Sequence, residues 1–345
     1  MTMEFEPYHH CTLCPRNCNA DRRIRPGYCG MGSTVTAARA GLHYYEEPFL
    51  SGENGSGTVF FTGCSLGCIY CQNGQISRDL YGIGITTERL AEIFLEQQGR
   101  NAHNLNLVTG THFTPSIAAA LKMAKTQGLR IPVVWNSSGY ETPETLRMLE
   151  GLVDIFLPDF KTLSEDLGWR YMKARDYPER AKEALACMAE MTGPAVFEPQ
   201  LQESYEGEHA LMKRGVVVRH LVIPGQTRDS REVLRYLFET YGHGIWISLM
   251  SQYTPVGAFA SGNAFAAGGA FTAGGAAPGV REVPEVTDPA SAGGYPELCR
   301  TLTSEEYDDV VDYAIELGIE HCMIQEEGTA SDSFIPLFDG TGILR

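Results

Sequence analysis

The feature that most constrains this chain is an alternation that begins at Thr58. Short β-branched or aromatic runs, TVFFTG, LNLVTG, IPVVWN, DIFLPD, VVVRHLVIP and IWISLM, are separated by stretches of helical periodicity. Runs that are apolar throughout, rather than at every second residue, fit strands buried on both faces, as in a parallel sheet. The stretches between them carry helix starts: Thr86 or Thr87 stands ahead of Leu90, Ile93 and Phe94, and Thr142 ahead of Leu146 and Leu149. Strand then helix, repeated about six times, predicts an α/β fold, a partial (β/α)6 TIM-like barrel.

The rest of the chain is arranged around that core. Residues 1–50 are Cys-rich and lack periodicity until a short strand or helix at 37–45; they read as a metal-binding N-terminal extension. Residues 51–255 make the barrel core, and 295–345 add a helix and strand that pack on it. That helix shows Thr303 and Glu306 in capping-box spacing and Val310, Val311, Ala314 and Ile315 as its apolar face, with a short strand at 322–325. Residues 256–294 break the rhythm with the tandem hexapeptides AFASGN, AFAAGG and AFTAGG. So few branched apolar side chains cannot offset the entropy of ordering, so the segment reads as a flexible insertion. The alternative is an ordered lid that touches the active site through Phe259, Phe265 and Phe271.

Charge narrows the partners. The chain has 27 Lys+Arg against 43 Asp+Glu, a net charge of −16, which repels phosphate backbones and makes nucleic acid a poor candidate. No apolar run approaches spanning length, and MTMEFEPYHHC lacks the basic start and apolar stretch of a signal peptide, so the expectation is a cytoplasmic protein with no membrane partner. Ten cysteines, seven of them in two tight groups, favour metal over disulfides. Cys187, Cys299 and Cys322 are scattered and read as small buried apolar residues.

In TVFFTGCSLGCIYCQN, Cys64, Cys68 and Cys71 follow the first expected strand in C-x3-C-x2-C spacing. Open α/β sheets bind ligands where their strands deliver their carboxyl ends, which puts these thiols at the barrel mouth. A cubane has four irons, so a [4Fe–4S] cluster held by three thiolates keeps one iron open. That iron can take the amino and carboxylate groups of S-adenosylmethionine (SAM), placing its sulfonium where one electron breaks a C–S bond and hydrogen abstraction follows. The other reading is a zinc site with a distant fourth ligand. Cys11, Cys14, Cys18 and Cys29, in C-x2-C-x3-C-x10-C spacing, can saturate one further metal. That metal is structural zinc, with His9 or His10 able to replace a cysteine, or an auxiliary [4Fe–4S] cluster. The run GENGSG at 52–57 precedes a strand instead of linking strand to helix, so it reads as a turn and not a phosphate loop.

The C-x3-C-x-aromatic-C pattern of Cys64, Cys68, Tyr70 and Cys71 resembles the radical SAM superfamily. The stretches CTLCPRNC, EEPFLSGENGSGTVFFTGC, NLVTGTHFTP, VVWNSSGYE, LPDFK, VRHLVIPG, SLMSQYTP and FIPLFD are similar to the PflX-type proteins, relatives of pyruvate formate-lyase activating enzyme, over most of the chain. The resemblance implies an oxygen-sensitive oxidoreductase. Flavodoxin or ferredoxin reduces the cluster, SAM is cleaved to methionine and a 5′-deoxyadenosyl radical, and hydrogen is taken from a substrate such as a glycyl residue of a partner enzyme. It also implies that Tyr70 contacts the adenine, that Asp159 and Lys161 meet SAM or substrate like the D-x-K motif of the activases, and that Arg219 clamps a carboxylate. Where the activases carry G-G-E for the SAM amino group, this chain has Thr109, Gly110, Thr111 and His112. The threonines can accept from an ammonium, and His112 can donate or carry a proton. Asn136, after the third expected strand, completes the set. Two further readings stand beside this one: radical modification of a peptide or small molecule, and a zinc-stabilised binding protein without turnover.

Overall fold

The computed structural model describes residues 5–198, 210–260, 294–325 and 336–344. Its strands are β1 (Val35–His43), β2 (Ser56–Phe61), β3 (Ile83–Ile85), β4 (Leu105–Val108), β5 (Val133–Ser137), β6 (Ile155–Pro158), β7 (Val196–Phe197), β8 (Met212–Leu221), β9 (Trp246–Met250) and β10 (Cys322–Ile324). Its helices are α1 (Pro48–Ser51), α2 (Gly74–Ser77), α3 (Thr87–Gly99), α4 (Thr114–Thr126), α5 (Pro143–Arg147), α6 (Glu165–Met172), α7 (Tyr177–Thr192), α8 (Thr227–Tyr241) and α9 (Ser304–Glu316).

Every residue of β2, β4, β5 and β6 is buried, as their unbroken apolar runs require. The sheet runs in the order β10-β9-β8-β6-β5-β4-β2-β1-β3, with β7 beside β8. From β2 to β10 the neighbours along this path are all parallel. The expected parallel strands are therefore present, and the short C-terminal strand extends them as β10. The sheet does not close: β1 and β3 lie antiparallel at one end, and β10 ends the other. The fold is a partial TIM-like barrel of mixed α/β class.

The ambiguous stretch at 37–45 falls in β1, which pairs with β2 from Ala37↔Phe61 to His43↔Ser56, although the sequence groups it with the N-terminal extension. Because β1 is antiparallel to β2, the chain leaving it enters the barrel at the N-terminal edges of the parallel strands. There Phe49 and Leu50 of α1 pack against Val134, Ile155, Leu157 and Val217 and fill the lower interior. Outside the sheet, Leu90, Ile93 and Phe94 of α3 join the main core, and Thr86 is the N-cap, accepting from the Arg89 N–H.

Helix α9 has the expected capping box between Thr303 and Glu306, but its buried stripe is Tyr307, Val310 and Ala314. Ile315, expected on that face, is 65% exposed. Residues 307, 310 and 314 follow the helical repeat, whereas 315 is turned a further step of about 100° from 314. Residues 261–293 lie outside the described residues, and the flexible-insertion and lid readings of that segment lie there with them. Phe259, just before it, is buried against the Tyr295 ring at 6.1 Å. Among the described residues no helix is long and apolar enough to cross a membrane.

His220 shows how completely the barrel wall excludes water. Its ring nitrogens bond the Phe160 carbonyl at 2.7 Å and the Ser230 hydroxyl at 2.9 Å, and burial holds its pKa down to about 4 against an ordinary 6.5. Between those values the unfolded chain binds more protons than the folded one, so stability rises with pH across the window and is lost as pH falls from 6.5 towards 4. We expect His220→Gln to flatten that part of a stability–pH curve measured by urea unfolding, removing a slope worth up to about 3 kcal/mol. An unchanged slope would place the acid-sensitive group elsewhere.

Candidate functional site

Strand β2 ends by pointing its chain at the barrel mouth. Gly63 follows at φ +84°, and a Cβ there would lie 2.5 Å from Met31 and 2.8 Å from the Cys29 carbonyl, so only glycine allows the turn and the close approach. Cys64 and Cys68 are buried and Cys71 is half-buried. The loop supplies its own donors to sulfur: the Leu66 N–H to Cys64 Sγ at 3.4 Å, and the Ser77 hydroxyl of α2 to Cys71 Sγ at 3.4 Å. Burial pushes the Cys68 thiol up to about 12; Lys161 pulls against this, while Cys71 and Cys64 add to it, so the three sulfurs share one electrostatic neighbourhood.

As they stand, no three His, Cys, Asp or Glu side chains among the described residues form a group that could hold a single ion. A cubane makes a different demand, because its thiolates bind separate irons at its corners. Three neighbouring thiols on one loop, with N–H and O–H donors to two of them, fit that demand, and cluster binding removes the protons that burial otherwise retains.

The loop opens onto a cavity of about 850 Å³ whose lining includes Cys68, Tyr70, Cys71, Asp159, Lys161 and Arg219. A second cavity of about 650 Å³, lined by His43, Glu46 and Asn136, shares Arg219 with the first. Tyr70 is buried edge-on to Tyr171 at 5.6 Å. Asp159 and Lys161 form an ion pair at 2.8 Å. Burial raises the Asp159 carboxyl but Lys161 and Arg219 outweigh it, so it stays below its ordinary range; Lys161 is held well above its own by Asp159 despite burial.

Beneath this mouth lies a polar floor that the sequence did not reveal. Arg219 donates from Nε to Asp159 at 3.0 Å, from Nη1 to Glu46 at 3.3 Å and from Nη2 to Asn136 at 2.6 Å. Asn106 of β4 donates to Glu46 at 2.8 Å. The guanidinium expected to clamp a carboxylate is thus already engaged by the protein's own acids. Burial raises the carboxyls of Glu46 and Glu47 above their ordinary range, and Arg219 offsets only part of that rise. The one local signal was Asn106, a polar residue inside the apolar run LNLV.

The remaining expected site residues divide. Thr109 follows β4 at φ +60°, a left-handed conformation that is strained for a β-branched residue and that clusters at functional sites. Thr111 instead gives its hydroxyl to Glu141 at 2.8 Å, a buried acid that also accepts from Trp135 and Ser137. His112 bonds the Thr62 carbonyl at 2.7 Å. None of the three lines the two cavities: the chain passes beyond Val108 at the cavity wall, and a 3-10 turn at Thr111–Phe113 redirects it immediately after Thr109.

The four N-terminal cysteines stand together. Cys11 and Cys18 share a bond that pulls the Cys18 thiol down and pushes Cys11 up, and a Cβ on Gly27 would lie 3.3 Å from Cys18 Sγ and 3.7 Å from Cys29 Sγ. Burial raises the Cys14 thiol to about 12, with Cys29 adding to it. None of the ten cysteines is in a disulfide. The segment is stapled to the mouth by Arg16, whose Nε bonds the Ser65 carbonyl at 2.9 Å and whose Nη2 bonds those of Leu66 and Met172.

The family model described as the Radical SAM superfamily matches residues 58–237, from β2 into α8. The chain belongs to the radical SAM superfamily. Membership implies a [4Fe–4S] cluster and SAM. The chain is similar to an uncharacterized protein of Methanocaldococcus jannaschii, 28% identical over 257 residues, which cover 72% of this chain and 67% of the relative. It is also similar to SuiB of Streptococcus suis, solved bound to S-adenosylmethionine, at 11% identity and a TM-score of 0.37. That likeness covers 58% of this radical SAM chain but only 38% of SuiB.

Proposed function

We propose that this protein is a radical SAM enzyme whose Cys64, Cys68 and Cys71 hold the [4Fe–4S] cluster and leave one iron for the amino and carboxylate groups of SAM. The observation that carries the reading is the trio of neighbouring thiols after β2, opening onto a cavity shared with Tyr70, Asp159 and Lys161. When bound, the cluster supplies one electron that cleaves SAM to methionine and a 5′-deoxyadenosyl radical.

The protein's own side chains do the positioning. Tyr70 offers a ring face and edge to the adenine. Lys161, kept charged by Asp159, gives a fixed polar contact at the mouth, and the polar floor keeps bulk water away from a reactive carbon. The PflX-type likeness favours a glycyl residue of a partner enzyme as hydrogen donor, with flavodoxin or ferredoxin as electron donor, in the cytoplasm. On this reading 51–255 is the catalytic core and residues 1–50 a metal-binding extension, holding zinc or a second cluster.

The test is anaerobic reconstitution, reduction and addition of SAM, with 5′-deoxyadenosine read by mass spectrometry. Formation of 5′-deoxyadenosine is expected. Deuterated candidates then name the substrate by label arriving at the 5′ carbon, and a glycyl radical seen by electron paramagnetic resonance distinguishes activation from modification of a peptide or small molecule. A colourless protein that takes up zinc but no iron would leave only the binding-protein reading.

A further inference from the structure

The matched family region begins at residue 58, so membership assigns nothing to Cys11, Cys14, Cys18 and Cys29. Next to them sits Arg22, only 1% exposed. Its guanidinium donates to three backbone carbonyls, those of Met31 at 3.1 Å, Gly32 at 2.6 Å and His112, and it reaches Cys11 Sγ at 3.9 Å. Among the described residues no carboxylate forms an ion pair with it. A fully buried guanidinium without a counter-charge is very costly. The candidates to supply that charge are the cysteine sulfurs around it, and thiols become anionic when they bind metal.

Location adds the second constraint. The Cys29 carbonyl packs against Gly63, one residue before Cys64, and Arg16 is bonded to Ser65 and Leu66 of the same loop. The N-terminal quartet therefore stands directly against the loop of the first three cysteines. Zinc there keeps a fixed charge. An iron–sulfur centre becomes one unit more negative on reduction, and a buried cation donating to a cysteine sulfur is a device that favours the reduced state.

Extending the reading above, on which it rests, we propose that Cys11, Cys14, Cys18 and Cys29 bind a second [4Fe–4S] cluster, fully ligated by protein and unable to bind SAM. One electron from a low-potential carrier, which is oxidised, reduces this cluster, and the same electron passes to the first.

The experiment compares the wild-type chain with the triple variant Cys64→Ser/Cys68→Ser/Cys71→Ser, which leaves the quartet untouched. After anaerobic reconstitution, about eight irons are expected in the wild type and about four in the variant, four per cubane, with no zinc in either. Paramagnetic resonance of the reduced wild type gives a mutation-free reading: SAM shifts the signal of one cluster and leaves the other unchanged. Zinc without iron in the triple variant, no metal there, or a single SAM-responsive cluster in the wild type overturns the proposal. Four irons in the triple variant, with a wild type whose clusters both ignore SAM, would uphold the second cluster and sink the reading of the first.

Discussion

Serine in place of Cys64, Cys68 or Cys71 is expected to bring 5′-deoxyadenosine formation down by ~1,000-fold or more, equivalent to about 4 kcal/mol of barrier, with loss of iron from the first site. The size follows from the donor count. Three thiolates leave one iron open, and a hydroxyl is a poor soft ligand, so removing any one of them opens a second iron and lets the cluster fall apart. Cys71 should be as sensitive as the other two although it is the more exposed, because ligation and not packing sets the effect. Cys299→Ser is the control: that thiol belongs to neither cysteine group and, against the sequence expectation of burial, is exposed, and its variant should keep iron and cleavage. Iron and sulfide assays, paired with mass spectrometry of the SAM products, check both. Wild-type iron and cleavage in any of the three motif variants would end the assignment.

What could be read from the sequence follows what each signal measures. Strands β2, β4, β5 and β6 were legible because burial on both faces leaves a continuous apolar run, a signature needing no tertiary information. Strand β1 was not distinguishable from a helix: its VTAARAGLH carries alanines, an arginine and a glycine, and its buried and half-buried positions follow no clean period of two. The three-residue β3 gives no pattern at all. Cys64, Cys68, Tyr70 and Cys71 were legible as one local motif, and Asp159 and Lys161 because a two-residue spacing at a strand end keeps them on one face. Glu46 was hidden, since its meaning depends on a turn into the barrel that brings it to Asn106 and to Arg219, 173 residues away. Arg16 and Arg22 were hidden for the same reason, since their partners are mostly backbone carbonyls that sequence does not display. Thr111 and His112 show the converse, where position after a strand suggested the mouth and one short turn sent both side chains to other partners.

Replacing Arg219 by leucine is expected to destabilise the fold by about 3–5 kcal/mol, the range found when one partner of a buried ion pair is removed. The guanidinium is 18% exposed in its side chain, joins β8 to β6 through Asp159, to β5 through Asn136 and to the chain below through Glu46, and is the cation that holds down the Glu46 and Glu47 carboxyls against burial. Without it, Glu46 and Glu47 lose the cation that offsets their burial, while Lys161 stays paired with Asp159. The pH dependence carries the signature. Burial already holds the Glu46 and Glu47 carboxyls above their ordinary range in the wild type, and losing Arg219 raises them further, so the variant's folded form binds more protons than the wild type's as pH falls; stability relative to wild type therefore recovers on acidification and worsens above neutrality. A leucine that merely repacked badly would cost the same at every pH. Glu46→Gln removes one of the stranded charges while keeping the Asn106 contact possible, so adding it to Arg219→Leu should restore part of the loss, giving a double-mutant coupling of about 1–3 kcal/mol. Urea unfolding of the four proteins at two pH values measures every term, and a loss that neither shrinks at lower pH nor couples to Glu46 would show that the floor beneath the mouth is not held by charge.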